Sequence, residues 1–383
     1  MFSGSEYLER RAKLLDLIPD KYATVIVYGR EIMKRIPTIP YKFSQNSDLL
    51  YLTGYDRPSG ILALTKRADN YDSYLFLPPK DKEAERWEGF RTAFDVAKSM
   101  SGVQHVLSTD QFQDWVSKNL LKYKTCYTSS PDGRQVTKDD RSLRSYIDNL
   151  RINKDEKEKK CILKACEITH NAIINTLPII KPGIREGLID STWRNECMKE
   201  GATGFGFEPI TAVGTNALGV HYQGKDAVVS DGTFVVLDGG AEYNHYCADF
   251  ARTKCVGKVP KEHTDLLLMI NDIKNDIVQK AKAGDFLNLD HIHVENHKMI
   301  ARVLRKFGIK TGLSEMRELC PDPTCHWIGL DVFDTPTIPT DKSLEAGNAF
   351  TISQAIYFDP ANTNVPDVFK GIGVRFENTV MYE

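Results

Sequence analysis

Long apolar runs are missing from this chain. Nowhere in its 383 residues does an uninterrupted stretch approach the roughly 20 apolar residues that a membrane span needs, so no membrane role is expected. Charge of one sign is missing too. Lys and Arg number 50 against 52 Asp and Glu, a net charge of -2. That balance offers no electrostatic footprint for DNA or RNA, and nucleic acid is not an expected partner. Even the cluster Lys157, Lys159 and Lys160 is interleaved with Glu156 and Glu158 and reads as a solvated helix face. Cysteine is sparse and unpatterned: eight residues are scattered along the chain, which predicts reduced thiols and an intracellular, cytoplasmic home. The opening MFSGSEYLERRAKLLDLIPDK has charges where a signal peptide has its apolar core. A terminus left by a removed transit peptide would look the same, so a mitochondrial location stays open behind the favoured cytoplasmic one. Cys320 and Cys325 lie beside His326 as soft donors, but no second Cys or His pair follows at zinc-finger spacing. Internal repeats and low-complexity tracts are absent.

What is present suits a soluble globular protein: 41% hydrophobic and 27% charged residues, in a length sufficient for two cores. The first part alternates β-rich runs (ATVIVYG, GILALTK, DSYLFLPP) with helical patterns, predicting a small α/β domain over 1–151. A lysine-rich stretch after Ile152 opens a second domain over 152–383. There Ile162, Cys166, Thr169, Ile173 and Leu177 recur at helical spacing until Pro178 and the Lys181-Pro182-Gly183 turn. Strands FVVLDGG and ADFARTK follow. A further helix begins near Asp290, with a stripe of Ile292, Met299, Ile300, Val303, Leu304 and Phe307, and stops at Gly308. FTISQAIYF and GVRFENTVMYE complete the pattern as strands.

Asp238 ends one apolar strand, and Asp249 lies 11 positions later on what reads as its paired strand. Desolvating an unpaired carboxylate is costly, so acids at buried strand ends call for compensation. A divalent cation is one form; a turn cap or a pairing with Arg252 is another. His326 before Trp-Ile-Gly and Glu377 after Arg375 add to the acids a donor set that hard or borderline metals accept. His221 follows the Gly- and Asn-containing turn GTNALG, which suits presentation at a cleft, although a lone histidine is more often structural. His293 and His297 are spaced i, i+4 like a zinc pair, with His291 nearby, but no carboxylate stands where an HExxH glutamate would. They read as solvated helix residues.

Several strings, in order, resemble the creatinase-like peptidases, most closely the aminopeptidase P branch that includes mitochondrial intermediate-cleaving aminopeptidases. They are EYLERRAKLL, FSQNSDLLYLTGYDRPSG and FLPPKDKEAERWEGFR, then WRNECMKEGATGFGFEPITAVGTNALGVHY, VVLDGGAEYNHYCADFARTK, HWIGLDVFD and GIGVRFEN. The resemblance covers nearly the whole chain. It implies a C-terminal α+β pita-bread domain, a curved and mostly antiparallel sheet backed by helices. It also implies two divalent metals, manganese foremost with zinc or cobalt as alternatives. Asp238 is then on one metal, Asp249 and Glu377 are bridges, and His326 is on the other. His221 takes the proton-handling place and Arg375 is retained. A peptide or protein N-terminus is the implied partner. A homodimer or larger assembly, built largely from residues before Arg151, is the implied state.

Against that pattern the chain departs at three positions. Ser353 stands where the fifth ligand, a Glu, belongs; Phe333 replaces a substrate-facing His; Asp322 replaces a His four residues before His326. Four carboxylates balance two divalent ions, and Ser353 leaves three. The His326 position is therefore expected to be empty or weakly occupied, with any ion sitting at Asp238, Asp249 and Glu377. Losing a donor to the intermediate costs around 10²–10³ in rate. The favoured reading is a catalytically silent or impaired relative that binds peptide in its cleft. The alternative is an active Xaa-Pro aminopeptidase, perhaps with one metal, and a third is a scaffold acting through its N-terminal domain.

Overall fold

The computed structural model describes residues 2–383 apart from 69, 121 and 124. The chain divides into two compact units, Met1–Leu150 and Arg151–Glu383. No helix of the described residues is long and apolar enough to cross a membrane.

Among the described residues, the first unit is built on a mixed sheet of six strands. These are β1 (Tyr22–Tyr28), β2 (Ile61–Arg67), β3 (Asn70–Leu77), β4 (His105–Ser108), β5 (Cys126–Ser129) and β6 (Arg141–Ser142), in the order β4-β3-β2-β1-β5-β6. β1, β2 and β3 pair antiparallel, whereas β4, β5 and β6 join in parallel. Helix α1 (Gly4–Leu17) buries Leu14, Leu15 and Arg11. The Arg11 guanidinium donates through Nη1 and Nη2 to the carbonyls of Leu52, Ser101 and Gly102, each at 2.8 Å.

The second unit opens with α2 (Glu156–Thr176). Its N-cap Asp155 accepts from the amides of Lys157 and Glu158, and Glu158 reaches back to complete a capping box. The buried face runs through Cys161, Ile162, Ala165, Ile168, Ala172 and Ile173. Cys166 and Leu177, expected in the stripe, lie at its border and are half-buried. Glu158 is not solvated as the lysine cluster suggested: it is buried and accepts from the Tyr246 hydroxyl at 2.7 Å. Then come α3 (Glu186–Lys199), β7 (Ile210–Val213), β8 (Thr233–Gly239), β9 (Phe250–Val256), α4 (Lys261–Lys282), α5 (Leu289–Lys306), β10 (Ala349–Tyr357) and β11 (Gly373–Met381). The strands form an antiparallel sheet in the order β7-β8-β9-β11-β10. α4 packs across β9, β10 and β11. Its buried Leu266, Ile270, Ile273 and Ile277 join Ile300 and Leu304 of α5 and Ile352 and Val374 of the sheet in one core.

Gly239, which ends β8, and Gly240 after it are required by close approach. A Cβ on Gly240 would come within 1.6 Å of the Ala248 carbonyl oxygen. This lets the hairpin Ala241–Tyr243/Tyr246–Cys247 fold back between β8 and β9. Its turn holds Asn244 and His245 at positive φ.

Candidate metal centre

Register decides which side chains share a face, because residues directly opposite in a ladder point the same way. Asp238 of β8 pairs with Ala251 of β9, Ala251 with Glu377 of β11, and Glu377 with Ser353 of β10. Asp238, Glu377 and Ser353 thus form a row across one face. Asp249 lies one residue before β9 rather than on it, and the bend there brings its carboxylate to the same row. His326 enters from the segment before β10, anchored by the Thr351 amide donating to its carbonyl at 2.8 Å.

These side chains line one cavity of about 320 Å³. His221, Asp322, Phe333 and Arg375 line it too, so all nine residues singled out in the sequence meet there. His326 Nε2 lies 3.5 Å from Asp249 Oδ2 and 3.7 Å from Glu377 Oε1. Among the described residues, Asp249, His326 and Glu377 are grouped closely enough to hold a metal ion, with ligand atoms within 4.8 Å of one another. Asp238 is engaged elsewhere, in a short ion pair with Arg375. Arg252, the alternative partner for the acids, instead donates to the backbone carbonyls of Ala251 and Glu377.

Arg375 organises a second network. Its Nη2 donates to the Val220 carbonyl at 3.0 Å and to the Tyr357 hydroxyl at 2.6 Å, and that hydroxyl donates to Asp322 Oδ2 at 2.6 Å. Val220 precedes His221, so the guanidinium ties the His221 turn to the sheet. The turn is held from behind by Glu186, wholly buried at the start of α3. Glu186 accepts from the amides of Val213 and Ala227, from Asn216 Nδ2 and from the Tyr222 hydroxyl, at 2.8–3.0 Å. Neither Glu186 nor Tyr357 was distinguishable from sequence, since nothing local marks an acid at a helix start or a strand-end tyrosine as a hub.

The electrostatics show uncompensated negative charge. Burial pushes Asp238 up to about 6, opposed by Arg375 and reinforced by Glu377. Burial, with the charge of Glu377, holds Asp249 well above the usual carboxylate range. Burial also works against Glu377, but hydrogen bonding and charge from His326 outweigh it and hold that group below its ordinary value. Burial disfavours the His326 cation, yet Asp249 and Glu377 together raise it to about 10. Two buried carboxylate oxygens, Asp238 Oδ1 and Asp249 Oδ1, have no hydrogen-bond partner. Buried acceptors of that kind are rare without an ion or water, so the donor set fits a hard or borderline cation.

The family model for metallopeptidase family M24 matches residues 160–383, and that for the aminopeptidase P N-terminal domain matches residues 7–127. The chain belongs to metallopeptidase family M24. Rat Xaa-Pro aminopeptidase 3 is 28% identical over 413 residues, covering 99% of this chain and 81% of that protein. The crystal structure of Icp55 from Saccharomyces cerevisiae superposes with a TM-score of 0.88 at 26% identity, covering 99% of this chain and 91% of that one. Aminopeptidase P from E. coli, at 24% identity, shares the fold with a TM-score of 0.89 over 100% of this chain and 93% of that one. This M24 chain therefore has the two-domain aminopeptidase P fold, with an N-terminal domain and a C-terminal pita-bread domain.

Within the M24 cavity, Ser353 sits opposite Glu377, 5% exposed and without a carboxylate. The Phe333 ring lies 4.3 Å from that of His326, tilted by 39°. The closest trio of ligand atoms includes His326, whereas Asp238 gives one carboxylate oxygen to Arg375 and leaves Oδ1 without a partner. The pair His293 and His297 is not solvated. Both are half-buried, with rings 4.2 Å apart, and His293 Nδ1 is 3.0 Å from Thr324 Oγ1. α5 turns that face toward the segment preceding His326, so its histidines pack rather than hydrate; His291 stays exposed.

Proposed function

We propose that this chain is an Xaa-Pro aminopeptidase-type protein that binds peptide N-termini with one divalent cation, and that its hydrolysis before proline is weak or lost. Charge carries this reading. Three buried carboxylates, Asp238, Asp249 and Glu377, face one buried guanidinium, Arg375. With His326 deprotonated as a metal ligand, the net of two negative charges balances a single divalent ion. A second ion would need the anion that Ser353 does not supply.

Asp249, His326 and Glu377 would hold the cation, with Asp238 Oδ1 available beside them. Manganese, cobalt and zinc all accept such nitrogen and oxygen donors. When bound, a cation here supplies Lewis-acid polarisation and acidifies water. The chain's own residues do the rest. Arg375 fixes Asp238 and the His221 turn, and exposed His221 stands where a proton can be exchanged at its ring nitrogens. Phe333 offers apolar surface and no donor, so a developing oxyanion on its side goes unstabilised.

A second reading, an active enzyme, is supported by the retention of His221, Arg375 and a complete three-residue metal set in one cavity. Turnover and binding of the same Xaa-Pro peptides with added Mn²⁺ separate the two. Micromolar binding with turnover at least about 10²-fold below an intact relative supports the impaired reading, and comparable turnover supports the active one. Assembly as a homodimer or larger through the first unit is part of the proposal. Met33, Trp87 and Phe90 there are 74%, 79% and 91% exposed, large apolar side chains that a second copy would cover.

A further inference from the structure

A second cavity, of about 580 Å³, adjoins the metal cavity, and Asp322 and Pro323 line both. The partition between them is the segment Cys320–Cys325. Pro321 and Pro323 restrict the backbone on either side of Asp322, so its carboxylate is presented from a stiff support. One oxygen accepts from the Tyr357 hydroxyl. That donor is a neutral hydroxyl. Asp290 and Arg317 also line the second cavity. Among the described residues, Asp290, Asp322 and Arg317 make no ion pair. Leu289, Cys320 and Pro321 supply its apolar wall.

We propose that this second cavity receives a basic side chain of the bound peptide, with Asp322 as the specificity-determining residue and Asp290 assisting. Two acids face Arg317 and His293, and burial disfavours the histidine's cation, so the acids outnumber the one fixed positive charge. An apolar wall below charged groups matches a Lys or Arg side chain, whose aliphatic stem packs while its head stays polar. The reach is consistent. Tyr357, which holds Asp322, is four residues along β10 from Ser353, about 13 Å of strand. An extended peptide covers that span in about four residues at roughly 3.3–3.6 Å each. The selected residue therefore lies within four positions of the Xaa-Pro bond.

This inference rests on the peptide-binding reading above. The test is fluorescence anisotropy with Ala-Pro peptides bearing lysine, norleucine or glutamate at each position from the third to the sixth, on wild type and Asp322→Asn. Asparagine keeps an acceptor for Tyr357 and a near-identical shape, so the variant should fold. At one position lysine should bind about fivefold tighter than norleucine, with glutamate weakest, and Asp322→Asn should flatten the order. Equal affinities for the three side chains at every position, or a lysine preference undiminished in the variant, would overturn the inference while leaving peptide binding intact. If none of the peptides binds, the peptide-binding reading falls and this inference with it.

Discussion

At position 353 a hydroxyl stands opposite Glu377, on the row of the sheet that carries Asp238. Ser353→Glu adds an anion there, and the expected outcome is a second bound cation with little added turnover. Phe333→His adds a donor beside His326. The two changes act on different requirements of one transition state, so the double variant should exceed the product of the singles in release of the residue before proline. Asp322→His can be added to it. Peptide turnover in all combinations checks this, and strictly multiplicative effects would contradict it. Elsewhere, burial and the neighbouring His293 bring His297 down to about 4 from 6.5. Because the folded value lies below the unfolded one, the unfolded chain binds more protons between the two. The stability from a neutral His297 is then full above the unfolded value and lost as pH falls toward the folded one. Urea midpoints should fall between about pH 7 and about pH 5, and the fall should be smaller in His297→Gln. An unchanged fall in that variant would remove His297 from the cause.

α3 begins with Glu186, whose carboxylate holds the turn carrying His221 from behind. Glu186→Ala would strand two backbone amides and the Tyr222 hydroxyl proton, and would leave Asn216 Nδ2 only its bond to the Tyr222 oxygen. A loss of about 3 kcal/mol in urea unfolding is expected, with a changed His221 resonance in proton NMR. A neutral effect would mean that the turn is held some other way. At this scale the sequence was informative where periodicity and punctuation agree. α5 was visible from its stripe and from Gly308, which adopts φ of 77°. α4 went unmarked. Its apolar positions are interrupted by the buried Lys274 and diluted by the exposed Asp272 and Asn275, and no Ser, Thr, Asp or Asn caps its start at Pro260. The site row was legible only through ordered motifs. Alternation alone says that Asp238 and Glu377 each lie on a strand, but β8 and β11 become near neighbours only through β9, a pairing that no local pattern encodes. The Asp238–Arg375 pair was missed for the same reason, since its partners are 137 residues apart.

For the whole molecule, two units with separate cores accord with the composition, and the order of motifs carried the family further than any one string did. Assembly is legible only as exposed apolar side chains in the first unit. Trp87→Asp with Phe90→Asp should shift a dimer or larger species toward monomer in sedimentation at micromolar concentration. A wild type already monomeric there would contradict that expectation. The account stands or falls on charge: three buried acids, one buried guanidinium and a serine where a fourth acid would sit. The most direct measurement is the number of Mn²⁺ ions bound per chain, by titration calorimetry with elemental analysis of the equilibrated protein. The account predicts one. Two tightly bound ions per wild-type chain would contradict it.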